Sequence, residues 1–363
     1  MKYSILAFGM IATACSTVQA QSNITIYGML DAGVEHLSNV AGSGGLTRMP
    51  GLGVSVPSRL GFRGTEDLGG GLKAIFTLES GFGTDSGTLN QGGRFFGRQA
   101  FVGLSGEWGS LTLGRQYSML FWSQLDADIL GPNAYGSGSL DSYLPNARAD
   151  NAIAYRGMFN GLTLGATYSF GRDTVNVSSP SGTNCAGENA ADRSACRQWS
   201  AMIKYDTPVW GISAAIDEIR GGAGAFAGLS SSSMKDRRST VAGWVKYDAL
   251  KIGAGVIFRS NDAAPATRRS NLWYAGASYT VTPALILDSQ VFRLDYKNST
   301  NQALLYAVRG TYHLSRRTAL FATAGHIAND GTLTLSVSGA AAGSSTVAGG
   351  SQTGVAVGMR HSF

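Results

Sequence analysis

The chain is 363 residues long and carries a net charge of +6, from 29 Lys and Arg against 23 Asp and Glu. It holds 50 Gly but only 8 Pro, and its aromatics, 10% of all residues, are spread along the whole length. That excludes Gly-rich disorder and suits a long meander of strands with many tight turns. Beyond the N-terminal segment no uninterrupted apolar run reaches about 18 residues, so no transmembrane helix is expected, and a soluble periplasmic protein and a β-barrel both remain.

The first element is a leader. Lys2 gives a basic start, residues 4–14 form a short apolar run, and Val18-Gln19-Ala20 supplies a small-residue cleavage site. This pattern predicts a secretory signal peptide over residues 1–20. Cys15 offers lipoprotein attachment as an alternative, although Ala12-Thr13-Ala14 before it lack the leucine usual there. Cleavage leaves residues 21–363 with 28 basic and 23 acidic side chains, a net charge of +5.

From Ile24 onward the dominant signal is alternation with period two. Leu162, Leu164, Ala166, Tyr168 and Phe170 alternate with Thr163, Gly165, Thr167 and Ser169. Trp199, Ala201, Ile203 and Tyr205 share one face, as do Val241, Gly243, Val245 and Tyr247, and then Leu304, Tyr306, Val308 and Tyr312. These segments match the roughly nine to eleven residues a strand needs to cross a membrane, rather than the five or six usual in a soluble sandwich. Many end in an aromatic (Tyr168, Phe170, Tyr205, Tyr247, Phe258, Tyr279, Tyr296, Tyr312), as girdles at two membrane interfaces would require. Short connections, such as Asn160-Gly161 and Thr282-Pro283, alternate with longer polar stretches near 36–57, 81–93, 117–147, 171–197, 220–238, 260–270, 297–301 and 329–350. Counting segments between connections predicts 16 strands with both termini on the periplasmic side; an even number lets the sheet close without a free edge.

Parity then sorts the charged residues. Leu60, Phe62 and Gly64 outward leave Arg59, Gly61 and Arg63 facing the lumen. Placing Phe101 and Gly103 outward turns Arg98 inward, and Ile153 and Tyr155 outward leave Arg148, Asp150 and Arg156 inward. Arg115 shares parity with Leu111 and Leu113, so it is expected on the outer wall, where charge is costly in lipid but tolerable in a subunit interface. Segment 117–147 holds Asp126, Asp128 and Asp141 and no Lys or Arg. Cys185 and Cys196, in one long loop, suggest a disulfide in an oxidising compartment; metal binding is the alternative, with no histidine close in sequence. His36, His313, His326 and His361 show no ligand spacing, so no metal or other cofactor is expected. Neither G-x-S-x-G, G-x-x-x-x-G-K-[ST] nor H-E-x-x-H occurs, and no enzyme is expected.

Several segments resemble the trimeric general porins of Gram-negative bacteria, especially the β-proteobacterial branch. They are Ile26-Tyr27-Gly28 with Asp31, Ser58-Arg59-Leu60-Gly61-Phe62-Arg63-Gly64-Thr65-Glu66-Asp67-Leu68-Gly69, Phe96-Gly97-Arg98-Gln99-Ala100-Phe101-Val102-Gly103-Leu104, Leu113-Gly114-Arg115-Gln116-Tyr117, and the terminal Met359-Arg360-His361-Ser362-Phe363. The resemblance spans the mature chain in order. It implies an all-β, 16-stranded antiparallel transmembrane barrel in the outer membrane whose third external loop, 117–147, folds inward. It further implies an arginine ladder at Arg59, Arg98 and Arg148, joined here by Arg63, with Asp126, Asp128 and Asp141 of the loop facing it. The loop lacks the Pro-Glu-Phe-Gly-Gly-Asp stretch of enterobacterial relatives. A homotrimer contact through Leu111, Leu113 and Arg115, and Phe363 as the signal for barrel-assembly machinery, are also implied. The partners expected are outer-membrane lipid and lipopolysaccharide, not nucleic acid. The function implied is passive diffusion of small hydrophilic solutes with a weak preference for anions. A substrate-selective channel, and a surface enzyme or adhesin on a barrel scaffold, are the alternatives.

Overall fold

The computed structural model describes residues 23–175, 182–226, 228–339 and 342–363. The leader and Cys15 lie outside the described residues. The first strands are β1 (Asn23–Val40), β2 (Gly44–Arg48), β3 (Arg59–Gly69), β4 (Leu72–Gly81), β5 (Gln99–Gly106) and β6 (Gly109–Tyr117). After a short helix α1 (Met119–Gln124) come β7 (Arg148–Phe159), β8 (Leu162–Ser169), β9 (Gln198–Asp206), β10 (Trp210–Arg220) and β11 (Lys235–Tyr247). The chain ends with β12 (Leu250–Asn261), β13 (Arg269–Thr282), β14 (Leu285–Tyr296), β15 (Gln302–His313), β16 (Thr318–Asn329) and β17 (Ser351–Ser362).

From β3 onward each strand pairs antiparallel with the next. The sheet closes through β1, which meets β17 from Met29↔Ser362 to Leu37↔Gly354 and β3 from Asn23↔Thr65 to Met29↔Arg59. β2 only folds back on the upper end of β1. The barrel therefore has 16 staves, β1 and β3 to β17, and every stave finds a hydrogen-bonding neighbour on both sides, as a sheet in lipid must. Phe363 completes the seam. Its backbone N–H donates to Gly28 O at 3.2 Å, and Gly28 N–H donates to Phe363 O at 3.0 Å. A Cβ at Gly28 would lie 2.3 Å from the Phe363 ring, so glycine makes room for the terminal aromatic.

The outer wall shows the expected apolar set, including Ile24, Ile26, Ile203, Val241, Val245, Val308, Val355 and Val357, all exposed. Three expectations need correction. On β5 it is Val102 and Leu104 that point outward, opposite Leu113 and Leu111, so Phe101 and Gly103 face inward. Phe-Val-Gly-Leu is apolar on both faces, and its phase cannot be read locally. Tyr296, on the same parity as buried Leu294 and Phe292, points inward and packs against the interior cluster instead of joining a girdle. Segment 220–238 yields its last four residues to β11, which begins at Lys235.

The interior packing is made by the long connection between β6 and β7. Leu120, Leu130, Tyr135, Leu140 and Leu144 from it are buried against Ile257, Leu272, Phe292, Leu305 and Phe321 of the barrel wall. Met119 packs with Ala154, Met202 and Ala215. The loop runs so close to β12 that a Cβ at Gly253 would stand 2.2 Å from Ala127 O. It thus lies against the β8–β16 side, and the open passage is left beside β1, β3, β4 and β5.

Candidate channel constriction

The passage is bounded by Tyr27, Arg59, Arg63, Glu79 and Arg98 on the wall, Arg148 at the start of β7, and Phe121, Trp122, Leu125, Asp128 and Ile129 on the loop. Arg59 opens β3 and lies 3.9 Å from the Glu79 carboxylate. Arg98 sits just before β5. Its Nε donates to Glu79 Oε1 at 2.7 Å and its Nη2 to Tyr117 OH at 2.7 Å. Arg148 Nη2 donates to the same hydroxyl at 2.5 Å, with its guanidinium 4.2 Å from the Tyr117 ring centre. Arg63 is exposed to the lumen, 5.4 Å from the Tyr27 ring. Arg98 reaches the lumen because it precedes the regular strand, not through the parity first assigned to it.

Sequence reasoning missed Glu79 and also Arg309 of β15, which lines the passage and pairs with Asp288 at 3.2 Å. Glu79 accepts from Arg98 and from Tyr27 OH, the latter at 3.0 Å, and lies near Arg59. Its register opposite Gly61 places it on the lumen face, and the alternation Lys73, Ile75, Thr77, Glu79 was the available signal.

Two of the three loop aspartates, Asp126 and Asp141, do not face this wall as expected. Asp126 pairs with Lys204 on β9. Asp141 receives Arg238 of β11 through Nε at 2.7 Å and Nη2 at 3.0 Å. Burial pushes the Asp141 carboxyl up, but Arg238 and Arg259 outweigh it and hold it below the ordinary carboxylate range. Asp128 does line the passage, yet it is buried and accepts from Ser137 Oγ at 2.6 Å within the loop. Burial raises its pKa to about 6, against the hydrogen bonds that lower it. Asp126 and Asp141 thus anchor the loop to the far wall, where Lys204 and Arg238 stand to neutralise them. What the loop presents to the arginines is mainly aromatic and aliphatic.

Arg115 also differs from expectation. Its partner is within the chain: Nη1 donates to Asp150 Oδ1 at 2.5 Å and Nε to Gly97 O at 2.8 Å. The register shift between Gly114 and Gln116 brings Asp150 within reach, and Arg94 bridges Asp150 and Asp173. Leu111 and Leu113 are exposed on the outer wall beside Val102, Leu104 and Ile153. Cys185 and Cys196 are disulfide-bonded, with Cα atoms 5.2 Å apart, in the external connection between β8 and β9.

A closed barrel with an apolar outer belt, a polar lumen and a charged narrow section defines an outer-membrane channel for small solutes. A family model described as Gram-negative porin matches residues 7–332. The chain is similar to outer membrane porin protein 32 of Delftia acidovorans, 31% identical over 378 aligned positions that cover 100% of both chains. It is similar to the structure of an anion-selective porin from Comamonas acidovorans, with TM-score 0.72 and 26% identity over 94% of this chain and 100% of that one. The trimer form of the Vibrio cholerae outer membrane protein OmpT shares the fold, with TM-score 0.63 and 13% identity over 94% of this chain and 99% of that one. The chain belongs to the Gram-negative porin family and resides in the outer membrane.

Proposed function

We propose that the protein is a homotrimeric general diffusion porin with a weak to moderate preference for anions, filtered by the arginine side of the constriction. The observation that carries this is the charge of the passage: among the described residues Arg59, Arg63, Arg98 and Arg148 line it against Glu79 and Asp128, while Arg309, also on its lining, is paired with Asp288 at 3.2 Å. A low-dielectric throat can hold a potential of a few kT. Salt screens it over about 8 Å, which keeps the preference modest in a hydrated passage. The anion selectivity of the Comamonas protein supports the same sign. Trimerisation, supported by the OmpT trimer form, would use the apolar face of Val102, Leu104, Leu111 and Leu113. Phe363 at the barrel seam is the handle for assembly machinery, and lipopolysaccharide surrounds the outer half. The test is the reversal potential of purified protein in a planar bilayer under a tenfold KCl gradient. A chloride-favouring sign is expected; a potassium-favouring sign defeats the reading.

A further inference from the structure

The loop side of the passage is unexpectedly apolar for a route taken by small polar solutes. Leu120 and Gln124 of α1 are buried against the barrel, as a packed helix face should be, but Phe121 and Leu125, four residues apart, face the passage. Leu125 is 39% exposed, and Phe121, Trp122 and Ile129 are half-buried. Apolar surface left facing water in a narrow throat is unfavourable unless something covers it.

The opposite side has the complementary deficit. Arg148 is buried, has no carboxylate in ion-pair distance among the described residues, and its Nε lacks a hydrogen-bond partner. Arg59 has only the distant Glu79, and Arg63 has no ion pair among the described residues. Guanidinium and ring already alternate here. Arg148 packs on Tyr117, Tyr117 stacks on Phe121 at 3.8 Å, Phe121 meets Trp122 edge-on at 5.7 Å, and Arg156 lies 4.4 Å from the Trp122 ring centre.

We propose that the constriction is a subsite for aromatic carboxylates, with the carboxylate toward Arg59 and Arg148 and the ring against Phe121, Trp122 and Leu125. A planar anion satisfies both walls at once. An inorganic anion or acetate uses only the arginines, and an uncharged ring only the loop. Arginine suits the head because its fork matches a carboxylate in bidentate geometry. Aromatic contact beyond simple burial adds roughly a factor of three to ten in affinity. The inference rests on the anion-preferring reading above and names the class of solute which that site retains.

The test measures block of the chloride current through the intact channel by benzoate, acetate and benzyl alcohol, with the KCl reversal potential recorded on the same membranes. Saturable block by benzoate is expected at about one-tenth of the concentration at which acetate acts, with benzyl alcohol inert. Leu125→Ser, at an exposed position, and Trp122→Leu should each shift benzoate toward acetate, read as the ratio of benzoate to acetate block within each variant. Equal block by benzoate and acetate, or no saturation, with chloride preference intact, overturns the subsite and spares the porin reading. Loss of chloride preference in the unaltered protein overturns both.

Discussion

Replacing Arg238 tests what holds the constriction loop in place. This side chain is 1% exposed, binds Asp141 of the loop through two nitrogens, and donates Nη1 to Asp236 Oδ2 at 2.9 Å. Arg238→Met keeps most of the volume but leaves two carboxylates with one cation, Arg259, which already pairs with Asp236 at 2.8 Å. Removing one partner of a buried ion pair costs about 3–5 kcal/mol. The loop's buried Leu120, Leu130, Tyr135, Leu140 and Leu144, worth about 1.5–3 kcal/mol each, keep the loop as a whole inside the barrel. The segment around Asp141 should then leave its seat for part of the time. Single-channel recordings should show a larger mean conductance and open-channel noise absent from the parent. Pairing it with Asp141→Asn should restore most of the quiet state, because the stranded charge is gone. A single variant with parental conductance and noise, in a barrel of unchanged heat resistance, would refute the idea that this pair seats the loop.

The wall arginines should set selectivity: Arg98→Ser or Arg148→Ser should shift the reversal potential in a tenfold KCl gradient toward potassium, and no shift in an intact barrel would mean that they line the passage without filtering. Asp126→Asn should move that potential only slightly toward chloride, since Lys204 keeps Asp206 at 2.9 Å as a partner; a shift as large as those of the arginine variants would return the aspartate to the filter. Asp128 carries charge above its pKa of about 6 and none below it, so chloride preference should rise between pH 7 and pH 5, and Asp128→Asn should abolish that step. Thiol labelling of unreduced, denatured protein should find neither Cys185 nor Cys196 reactive; their bridge closes a loop of sequence separation 11, a constraint on the unfolded chain of about 3 kcal/mol.

The fold was legible because its physics is local. A strand with lipid on one side and water on the other must alternate, and glycine-rich tight turns must recur at one end. Legibility failed where both faces are apolar, as at Phe101-Val102-Gly103-Leu104, and where a register shift changes the phase, as between Gly114 and Gln116. It failed again for the loop acids, whose partners lie far along the chain. Asp126 finds Lys204 across 78 residues, and Asp141 finds Arg238 across 97. Nothing in the composition of 117–147 states which wall its aspartates will meet. Glu79 was readable by parity but stood outside the segments that carried the family resemblance.

The seating of the loop has a consequence for the field in the passage. Had Asp126 and Asp141 faced Arg59 and Arg148, a solute would cross between opposite charges, and apolar groups would be excluded by ordered water. Instead each of those acids is neutralised on the β9 and β11 side, and the arginines face Phe121, Trp122 and Leu125. The counter-charge nearest to them is Glu79, on their own wall. The field therefore runs along that wall more than across the gap, and the gap separates a cationic side from a mainly apolar one in which Asp128 is the carboxylate among the described lining residues. Such an arrangement orients a solute by its amphipathicity rather than by its dipole alone. On the proposed subsite, such a passage is expected to slow benzoate-like ions most, small inorganic anions less, and inorganic cations only through the modest positive potential.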